Sequence, residues 1–223
     1  MECLQACQPY PWQQFRQELI HIHRSARREP YCYPLLEQVL RPLCPPDRMV
    51  VPVYDNKRSS LLHNTEIYAA PGGLQDLIVV PRHYTYEAPQ PPLVTVEAKR
   101  PQLALSPEGQ VEQYLPLKLR DREGRLNGQL EVQLQKTDFL LFTDCITWHL
   151  LQAGREPWSI CLLRAQAEGW TWPESAPHPW SQEDLAFYQT LGMDVSHVGR
   201  EPEAWTTLMD HLRDFLESSR QKA

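Results

Sequence analysis

The chain has 223 residues, of which 42% are hydrophobic, so it is long enough to bury the core of one large domain. Its formal net charge of −6 argues against a protein that coats nucleic acid non-specifically, since such proteins cluster Lys and Arg. No apolar run approaches the roughly 20 residues of a membrane span, and the N-terminus lacks the basic start and apolar stretch of a signal peptide. A cytoplasmic location is therefore expected.

The six cysteines, at positions 3, 7, 32, 44, 145 and 161, form no Cys-x-x-Cys pair. In a cytosolic chain they are expected to be reduced. An iron–sulfur cluster needs a tight group of cysteines, and the sequence contains none.

Two amphipathic helices are predicted near the N-terminus. The first covers residues 10–29, and the second runs from Tyr33 to Leu43, with Pro34 in its first turn and Pro42 near its end. Apolar side chains at three- and four-residue spacing give the first helix its buried stripe: Trp12, Phe15, Leu19, Ile22 and Ala26.

Short strands are predicted next. Residues 49–55 form the first, in which Pro52 indicates a sheet edge or a bulge. Residues 67–70 form another short strand, which ends before Gly72-Gly73. These glycines allow positive φ or a close approach of backbone just before Asp76.

Two β-type apolar runs then carry charges where a buried strand disfavours them. Asp76 opens the first run, and Glu97 and Lys99 close the second. Period-two alternation puts Glu97 and Lys99 on one face of the second strand, opposite a core face of Val94, Val96 and Ala98. A hairpin between the runs brings Asp76 near Glu97, and two carboxylates at a strand edge suit Mg²⁺. The alternative is a surface hairpin with a solvated Glu and Lys.

The pattern resembles the PD-(D/E)xK nuclease superfamily, in which an Asp on one strand and a Glu-x-Lys on the next form a metal site. Asp76 and Glu97-Ala98-Lys99 match it, while Gln75 stands where the family usually has Pro. RecB-like members carry a Gln-x-x-x-Tyr on the following helix, and Gln110 and Tyr114 have that spacing.

A later hairpin supports the same resemblance. Residues 139–151 predict two strands around a turn at Asp144-Cys145. This is similar to the hairpin after the same helix in the N-terminal nuclease domain of type I restriction motor subunits, which has Asn-Gly at the turn. Leu130 to Leu134 alternates like a further strand.

The resemblance implies a role for each matched residue. Asp76 and Glu97, with the Ala98 carbonyl, would hold one or two Mg²⁺ (or Mn²⁺), and Lys99 would position or activate a water molecule. Gln110 would orient the water or the phosphate, and Tyr114 would contact the nucleic-acid backbone or brace its helix. A Glu on a preceding helix often completes the metal site. The candidate is Glu37, with Glu18 and Glu66 as alternatives, and a solvated Glu37 is the other interpretation.

The C-terminal part predicts a strand at residues 160–163 and a Trp- and Pro-rich arm at 167–180. The tryptophans of this arm are expected to anchor it on the body of the protein rather than to stack nucleobases. A helix is predicted to begin at Ser181. The last helix, Trp205 to Arg220, buries a stripe of Trp205, Leu208, Met209, Leu212, Phe215 and Leu216.

The expected fold is α/β, with a restriction-endonuclease-like core in which helices flank a short mixed sheet. One nuclease-like domain would span residues 1–223, with its core at about 33–152, an N-terminal helix at 10–29 and an elaboration at 153–223. The implied function is metal-dependent hydrolysis of phosphodiester bonds in DNA, in defence or DNA processing. Two alternatives are a non-catalytic nuclease-fold scaffold subunit and a partner-gated or RNA-directed nuclease. The expected partners are nucleic acid and a protein partner or second copy of the chain, with no membrane.

Overall fold

The computed structural model describes residues 9–25, 29–53, 69–70, 73–85, 90–99, 119–120, 123–162, 164–166, 169–171 and 202–219. In these ranges the chain forms an α/β structure with a six-stranded mixed sheet and four α-helices. The helices are α1 (Trp12–Ser25), α2 (Tyr33–Leu40), α3 (Gly128–Thr137) and α4 (Glu203–Ser218), and 3₁₀ turns occupy Glu29–Cys32 and Arg41–Leu43. The strands are β1 (Arg48–Pro52), β2 (Ala69–Ala70), β3 (Gly73–Leu74), β4 (Leu77–Pro81), β5 (Val94–Ala98), β6 (Phe139–Thr143), β7 (Thr147–Gln152), β8 (Trp158–Cys161), β9 (Arg164–Gln166) and β10 (Gly169–Thr171).

The main sheet has the strand order β1-β4-β5-β6-β7-β8. Strands β5 and β6 are parallel, and the other neighbours in this sheet are antiparallel. A parallel pair needs a crossover connection, and α3 lies in the chain between these two strands. The pairs β2–β3 and β9–β10 form two separate hairpins.

The main apolar core lies between one face of the sheet and helices α1, α2 and α4. Val94, Val96 and Ala98 face this core, as the alternation of strand β5 predicts. Aromatic side chains join the two ends of the chain there, with the ring centroids of Phe15 and Trp205 4.5 Å apart. A smaller apolar cluster lies on the opposite face of the sheet, between the sheet and α3. It includes Leu130 of α3 and Leu140, Phe142 and Leu151 of the sheet.

A buried arginine ties the C-terminal helix to the edge of the sheet. Arg48 Nη1 donates hydrogen bonds to Leu216 O at 2.8 Å and to Ser219 Oγ at 2.5 Å. A backbone carbonyl at the end of a helix lacks an intrahelical donor, so Arg48 supplies one to α4.

Most predicted elements within the described ranges are confirmed, with bounds that differ by a few residues at either end. Pro52 ends β1, which is an edge strand, and the hairpin around Asp144-Cys145 is formed by β6 and β7. The six apolar residues predicted for the last helix are all buried in α4. The helix predicted at Ser181 and residues 172–180 of the arm lie outside the described residues.

The strand predicted at Leu130–Leu134 is wrong, because these residues belong to helix α3. Asn127 caps this helix by accepting a hydrogen bond from Gln129 N at 3.0 Å. Leu130 and Leu134 lie four residues apart. This spacing puts them on one face of a helix, but it also puts them on one face of a strand, so the pattern fits both structures. In the folded chain both leucines pack against Leu140, Phe142 and Leu151 of the sheet, and this packing favours the helix.

Among the described residues, none of the helices combines the length and hydropathy that a transmembrane segment requires.

Candidate active site at the ends of strands β4 and β5

Two buried carboxylates meet where strand β4 begins and strand β5 ends. Leu77 pairs with Val96, so Asp76 and Glu97 are opposed one position further along. Asp76 is 1% exposed and Glu97 is 4% exposed. Asp76 Oδ2 accepts a hydrogen bond of 2.8 Å from Ala98 N, which fixes its carboxylate across the strand pair. The structure therefore brings together the two acids that the strand pattern singles out.

Three side-chain donors surround the carboxylate of Glu97. Lys99 Nζ and Gln129 Nε2 both donate to Glu97 Oε1, the amide at 3.0 Å. Gln133 Nε2 donates to Glu97 Oε2 at 3.0 Å. Lys99 Nζ also donates to Ala98 O at 2.9 Å. Lys99 thus lies against Glu97, and helix α3 holds the carboxylate from the other side.

Residues at the start of helix α2 and in the 3₁₀ turn before it complete the cluster around Asp76. The Tyr33 hydroxyl donates to Asp76 Oδ1 at 2.6 Å, and Glu29 Oε1 lies 3.1 Å from the same hydroxyl. Glu29 Oε2 is 3.9 Å from Lys99 Nζ. Because Glu29 precedes Tyr33 by four residues, one turn of chain reaches both Asp76 and Lys99.

Burial and neighbouring charges shift the protonation equilibria of this cluster. Burial and the nearby Asp76 raise the pKa of Glu97, and the opposing effects of Lys99 and Gln133 are smaller. Burial by itself lowers the pKa of the Lys99 ammonium, but Glu97, Glu29 and Asp76 together outweigh it and raise that pKa. Lys99 is therefore a cation at neutral pH. As an ammonium it can orient a water or a phosphate oxygen, but it has no lone pair with which to accept a proton.

The acid predicted on α2 lies elsewhere. Glu37 Oε1 pairs with Arg41 Nη2 at 2.5 Å, one turn further along the helix, and it forms no described contact with Asp76 or Glu97. The acid that reaches the cluster is Glu29, which lies before α2, whereas Glu37 follows Tyr33 by a full turn of about 5.4 Å. Glu18 accepts a hydrogen bond from the Tyr10 hydroxyl at 2.7 Å. Glu66, Gln110 and Tyr114 lie outside the described residues.

Sequence reasoning missed Glu29, Tyr33, Gln129 and Gln133. The sequence pattern indicates Tyr33 only as the start of a helix, because its contact with Asp76 depends on how α2 packs against the sheet. Gln129 and Gln133 carry a usable signal, because two glutamines four residues apart share one helix face. They lie on the helix between β5 and β6, where the resemblance leads one to expect a Gln-x-x-x-Tyr.

The donor set of the cluster fits a hard divalent cation. Asp76, Glu97 and the Ala98 carbonyl offer only oxygen atoms, and Mg²⁺ characteristically binds one or two carboxylates while keeping several waters. Each carboxylate oxygen has more than one lone pair, so the hydrogen bonds do not exhaust the acceptors. Over the described ranges, no group of three or more His, Cys, Asp and Glu side chains is arranged to hold a metal.

The turn between β6 and β7 supports the cluster through the backbone. Lys99 N donates to Thr143 O at 2.7 Å, which holds the end of β5 against this turn. Asp144 Oδ1 accepts from Ile146 N and Thr147 N, and Cys145 has a φ of 69°, the conformation that Gly or Asn adopts most readily. Burial raises the pKa of Asp144 to about 6, although its backbone hydrogen bonds oppose the shift.

Comparison of the chain with protein-family models, with curated proteins and with solved structures gave no match.

Proposed function

We propose that the protein is a metal-dependent nuclease with a restriction-endonuclease-like core of the PD-(D/E)xK type, and that its substrate is DNA. The observation that carries the proposal is the cluster of Asp76, Glu97 and Lys99 at adjacent strand ends. A buried acid such as Glu97, whose pKa is raised and which has a charged partner, is typical of functional sites. A role in defence or DNA processing follows from the resemblance alone.

In this proposal Asp76, Glu97 and the Ala98 carbonyl hold Mg²⁺ or Mn²⁺. When bound, the cation stabilises negative charge on the phosphate and lowers the pKa of a water molecule. The Lys99 ammonium orients that water or a phosphate oxygen, since its raised pKa keeps it charged. Gln129 and Gln133 position Glu97 through its two oxygens. Gln110 is proposed, from the resemblance, to contact the water or the phosphate. Tyr114 is proposed on the same basis to contact the nucleic-acid backbone.

The net charge of −6 limits how much the protein surface contributes to binding of nucleic acid. Few phosphate contacts are expected from the surface as a whole, because affinity for nucleic acid rises with the number of phosphates neutralised by Lys and Arg. The cation and Lys99 then carry much of the phosphate binding. A protein partner or a second copy of this chain would supply further contacts to DNA.

A second function is a binding or scaffold subunit that retains the nuclease fold without catalysis. The hydrogen bonds of the cluster favour it: both oxygens of Asp76 and both oxygens of Glu97 already accept from protein donors. Such a satisfied network also stabilises a fold with no ligand. A partner-gated or RNA-directed nuclease is the third possibility, and it uses the same residues.

The test is cleavage of supercoiled, linear and single-stranded DNA and of RNA with Mg²⁺ or Mn²⁺. Wild type is compared with Lys99→Ala and with Lys136→Ala, which removes an exposed lysine of α3. We expect wild type and Lys136→Ala to cut at least one DNA substrate and Lys99→Ala to cut none while it remains folded. Cleavage of RNA alone reassigns the substrate. Absence of cleavage by wild type with either metal favours the scaffold function.

A further inference from the structure

A basic hairpin precedes helix α3 in a chain whose overall charge is acidic. In the sequence, residues 118–127 carry four basic and two acidic side chains, a net charge of +2, whereas the whole chain has a net charge of −6. The structure describes residues 119–120 and 123–127 of this segment, and these form the basic hairpin. Its two arginines, Arg120 and Arg125, are both exposed, and the side chain of Arg125 is 73% exposed. A large ligand therefore has direct access to both guanidinium groups.

Hydrogen bonds fix the backbone of the basic hairpin. Arg120 and Leu126 form an antiparallel bridge, and Asn127 N donates to Leu119 O at 3.0 Å. Gly124 turns the chain with a φ of 78°, in the region that favours glycine. Arg120 Nη1 donates to Gly124 O at 2.7 Å, which holds this guanidinium at the turn. A guanidinium has five N–H donors, so the bond to Gly124 leaves donors for a ligand.

The basic hairpin lies at the end of the sheet that carries the acid cluster. Gln129, three residues after Leu126, donates to Glu97 Oε1 at 3.0 Å. Leu119 and Leu126 pack against the apolar cluster between α3 and the sheet, which includes Phe142. Phe142 is the partner of Glu97 in the pairing of β5 with β6. The hairpin and Glu97 are therefore on the same face of the sheet.

Chain geometry limits the distance between Arg120 and the acid cluster. The three peptide units from Leu126 to Gln129 span at most about 11 Å. The bridged Cα atoms of Arg120 and Leu126 are about 5 Å apart. The Cα atom of Arg120 therefore lies within about 16 Å of the Cα atom of Gln129, whose side chain contacts Glu97. At a rise of about 3.4 Å per nucleotide, this distance corresponds to about five nucleotides of one DNA strand.

The surface between the hairpin turn and the start of α3 is open. Gly124 lies at the turn, and Gly128 is the first residue of α3, next to Gln129. Apart from neighbouring chain atoms, no atom in the described ranges lies within 4 Å of the point where a Cβ on either glycine would stand. An extended ligand can therefore follow the chain from the guanidinium groups toward Glu97 without displacing a described side chain at these two positions.

We propose that Arg120 and Arg125 bind phosphates of a DNA strand that flank the scissile phosphate. The position of the scissile phosphate rests on the proposed nuclease function. Arginine suits this contact, because its planar guanidinium matches the geometry of phosphate oxygens and stays charged. Arg125 Nη2 donates to Glu123 Oε2 at 3.1 Å, and an exposed ion pair of this kind contributes little free energy, so a phosphate can replace it. The hairpin thus supplies local contacts to DNA that the acidic surface as a whole does not.

The test measures affinity for a DNA duplex over a series of salt concentrations, without divalent metal so that the DNA is not cut. Arg120→Gln/Arg125→Gln, the double glutamine variant, removes two positive charges, and Arg120→Lys/Arg125→Lys retains them. The matched control is Arg155→Gln/Arg213→Gln, which changes the net charge by the same amount. Arg155 follows β7 at the opposite end of the sheet, and Arg213 is an exposed residue of α4 on the other face. Thermal melting and the KM and kcat of cleavage with Mg²⁺ are measured for every protein.

We expect the double glutamine variant to bind DNA about tenfold more weakly than wild type, since two charge-assisted contacts are lost. The slope of log affinity against log salt should become shallower by about 1.8, because each phosphate contact contributes about 0.9. Its KM should rise while kcat stays close to that of wild type, because neither arginine contacts the reacting atoms. The double lysine variant should retain the slope, and the control should match wild type in both slope and affinity.

Other outcomes overturn the proposal in distinguishable ways. If the double glutamine variant keeps the affinity and slope of wild type, the hairpin does not bind DNA, and cleavage by wild type leaves the nuclease function standing. If the control loses affinity equally, net charge rather than the hairpin explains the effect. If wild type binds no DNA, the proposal and the nuclease function fail together. A loss of affinity in the double glutamine variant, without cleavage by wild type, supports the hairpin contact and removes only the hydrolysis.

A single variant keeps the test decisive if the double glutamine variant melts several degrees lower. Arg125→Gln leaves the bond between Arg120 and Gly124 intact, so the turn of the hairpin is retained. A slope that is shallower by about 0.9 in Arg125→Gln supports the proposal. An unchanged slope and affinity in this variant overturn it.

Discussion

The Tyr33 hydroxyl lies 2.6 Å from Asp76 Oδ1 and joins the start of helix α2 to the start of strand β4. Burial is the main cause that raises the pKa of this phenol, and the Asp76 charge adds to it, so the hydroxyl remains a donor. The residues are 43 positions apart in the chain. Their contact holds one acid of the cluster in place from outside the sheet.

Replacement of Tyr33 with Phe should destabilise the protein by about 1–3 kcal/mol, because a buried carboxylate loses its hydroxyl donor. Thermal melting measures the change. Tyr31→Phe is the matched control, since Tyr31 is 54% exposed and belongs to the same turn. A Tyr33→Phe variant that melts like Tyr31→Phe would show that Asp76 does not depend on this hydrogen bond.

Replacement of Glu97 with Gln should raise the melting temperature at neutral pH by about 2–5 °C. The pKa of Glu97 is higher in the folded protein than in the unfolded chain, where it is about 4.5. The stabilising contribution of Glu97 is therefore full below pH 4.5 and is lost as pH rises through the folded pKa. Lys99 also has a raised pKa, so its contribution is full below about 10.5 and is lost only in the alkaline range.

The comparison is made by melting wild type, Glu97→Gln and Glu131→Gln at pH 4 and pH 7. Glu131 is an exposed residue of α3 and controls for loss of a surface charge. We expect wild type and Glu97→Gln to converge at pH 4 and to differ at pH 7. A Glu97→Gln variant that melts lower than wild type at pH 7 would mean that the ion pair with Lys99 outweighs the cost of burial.

Sequence patterns predicted the sheet side of the cluster because they are local. Alternation along β5 assigns Val94 and Val96 to the core and Glu97 to the opposite face, and antiparallel pairing with β4 brings Asp76 alongside. The contacts that helices make with the cluster depend instead on packing between segments that are distant in the chain. Nothing local to Tyr33 indicates a contact with a residue 43 positions away.

Helix α3 illustrates a different obstacle. Leu130, Val132 and Leu134 alternate as in a strand, while Leu130 and Leu134 also share a helix face. The two periods compete over five residues, and the cap at Asn127 and burial of Gln133 against Glu97 resolve them only in the folded chain. Glu37 shows a similar limit, because the helical pattern indicates which face of α2 it lies on but not how far along the helix the acid cluster lies.

Replacement of Gln133 with Leu should lower cleavage activity about 10- to 100-fold, the usual effect of removing a group that orients a metal ligand. Gln133 Nε2 holds Glu97 Oε2 at 3.0 Å, so the substitution frees one side of the carboxylate. Glu97 Oε2 loses a donor, but the variant also removes Gln133 Oε1, which is itself unpaired within the described residues, so the loss of stability should be smaller than for Tyr33→Phe. The measurements are kcat, KM and melting temperature.

Gln135→Leu is the control for this variant, because Gln135 is exposed on the same helix. We expect it to cleave at the wild-type rate. If Gln133→Leu also cleaves at that rate, then α3 supports the fold and has no part in positioning Glu97.

Calorimetric titration with Mn²⁺ and Mg²⁺ tests whether Asp76 and Glu97 hold a divalent cation, and it requires no knowledge of the substrate. The variants are Asp76→Asn, Glu97→Gln and Glu37→Gln, the last of which removes an acid paired with Arg41 on α2. We expect one saturable site in wild type and in Glu37→Gln, and loss of that site in Asp76→Asn and Glu97→Gln. Equal affinity in all four proteins, or loss in Glu37→Gln alone, would contradict the assignment of the metal site to these two carboxylates.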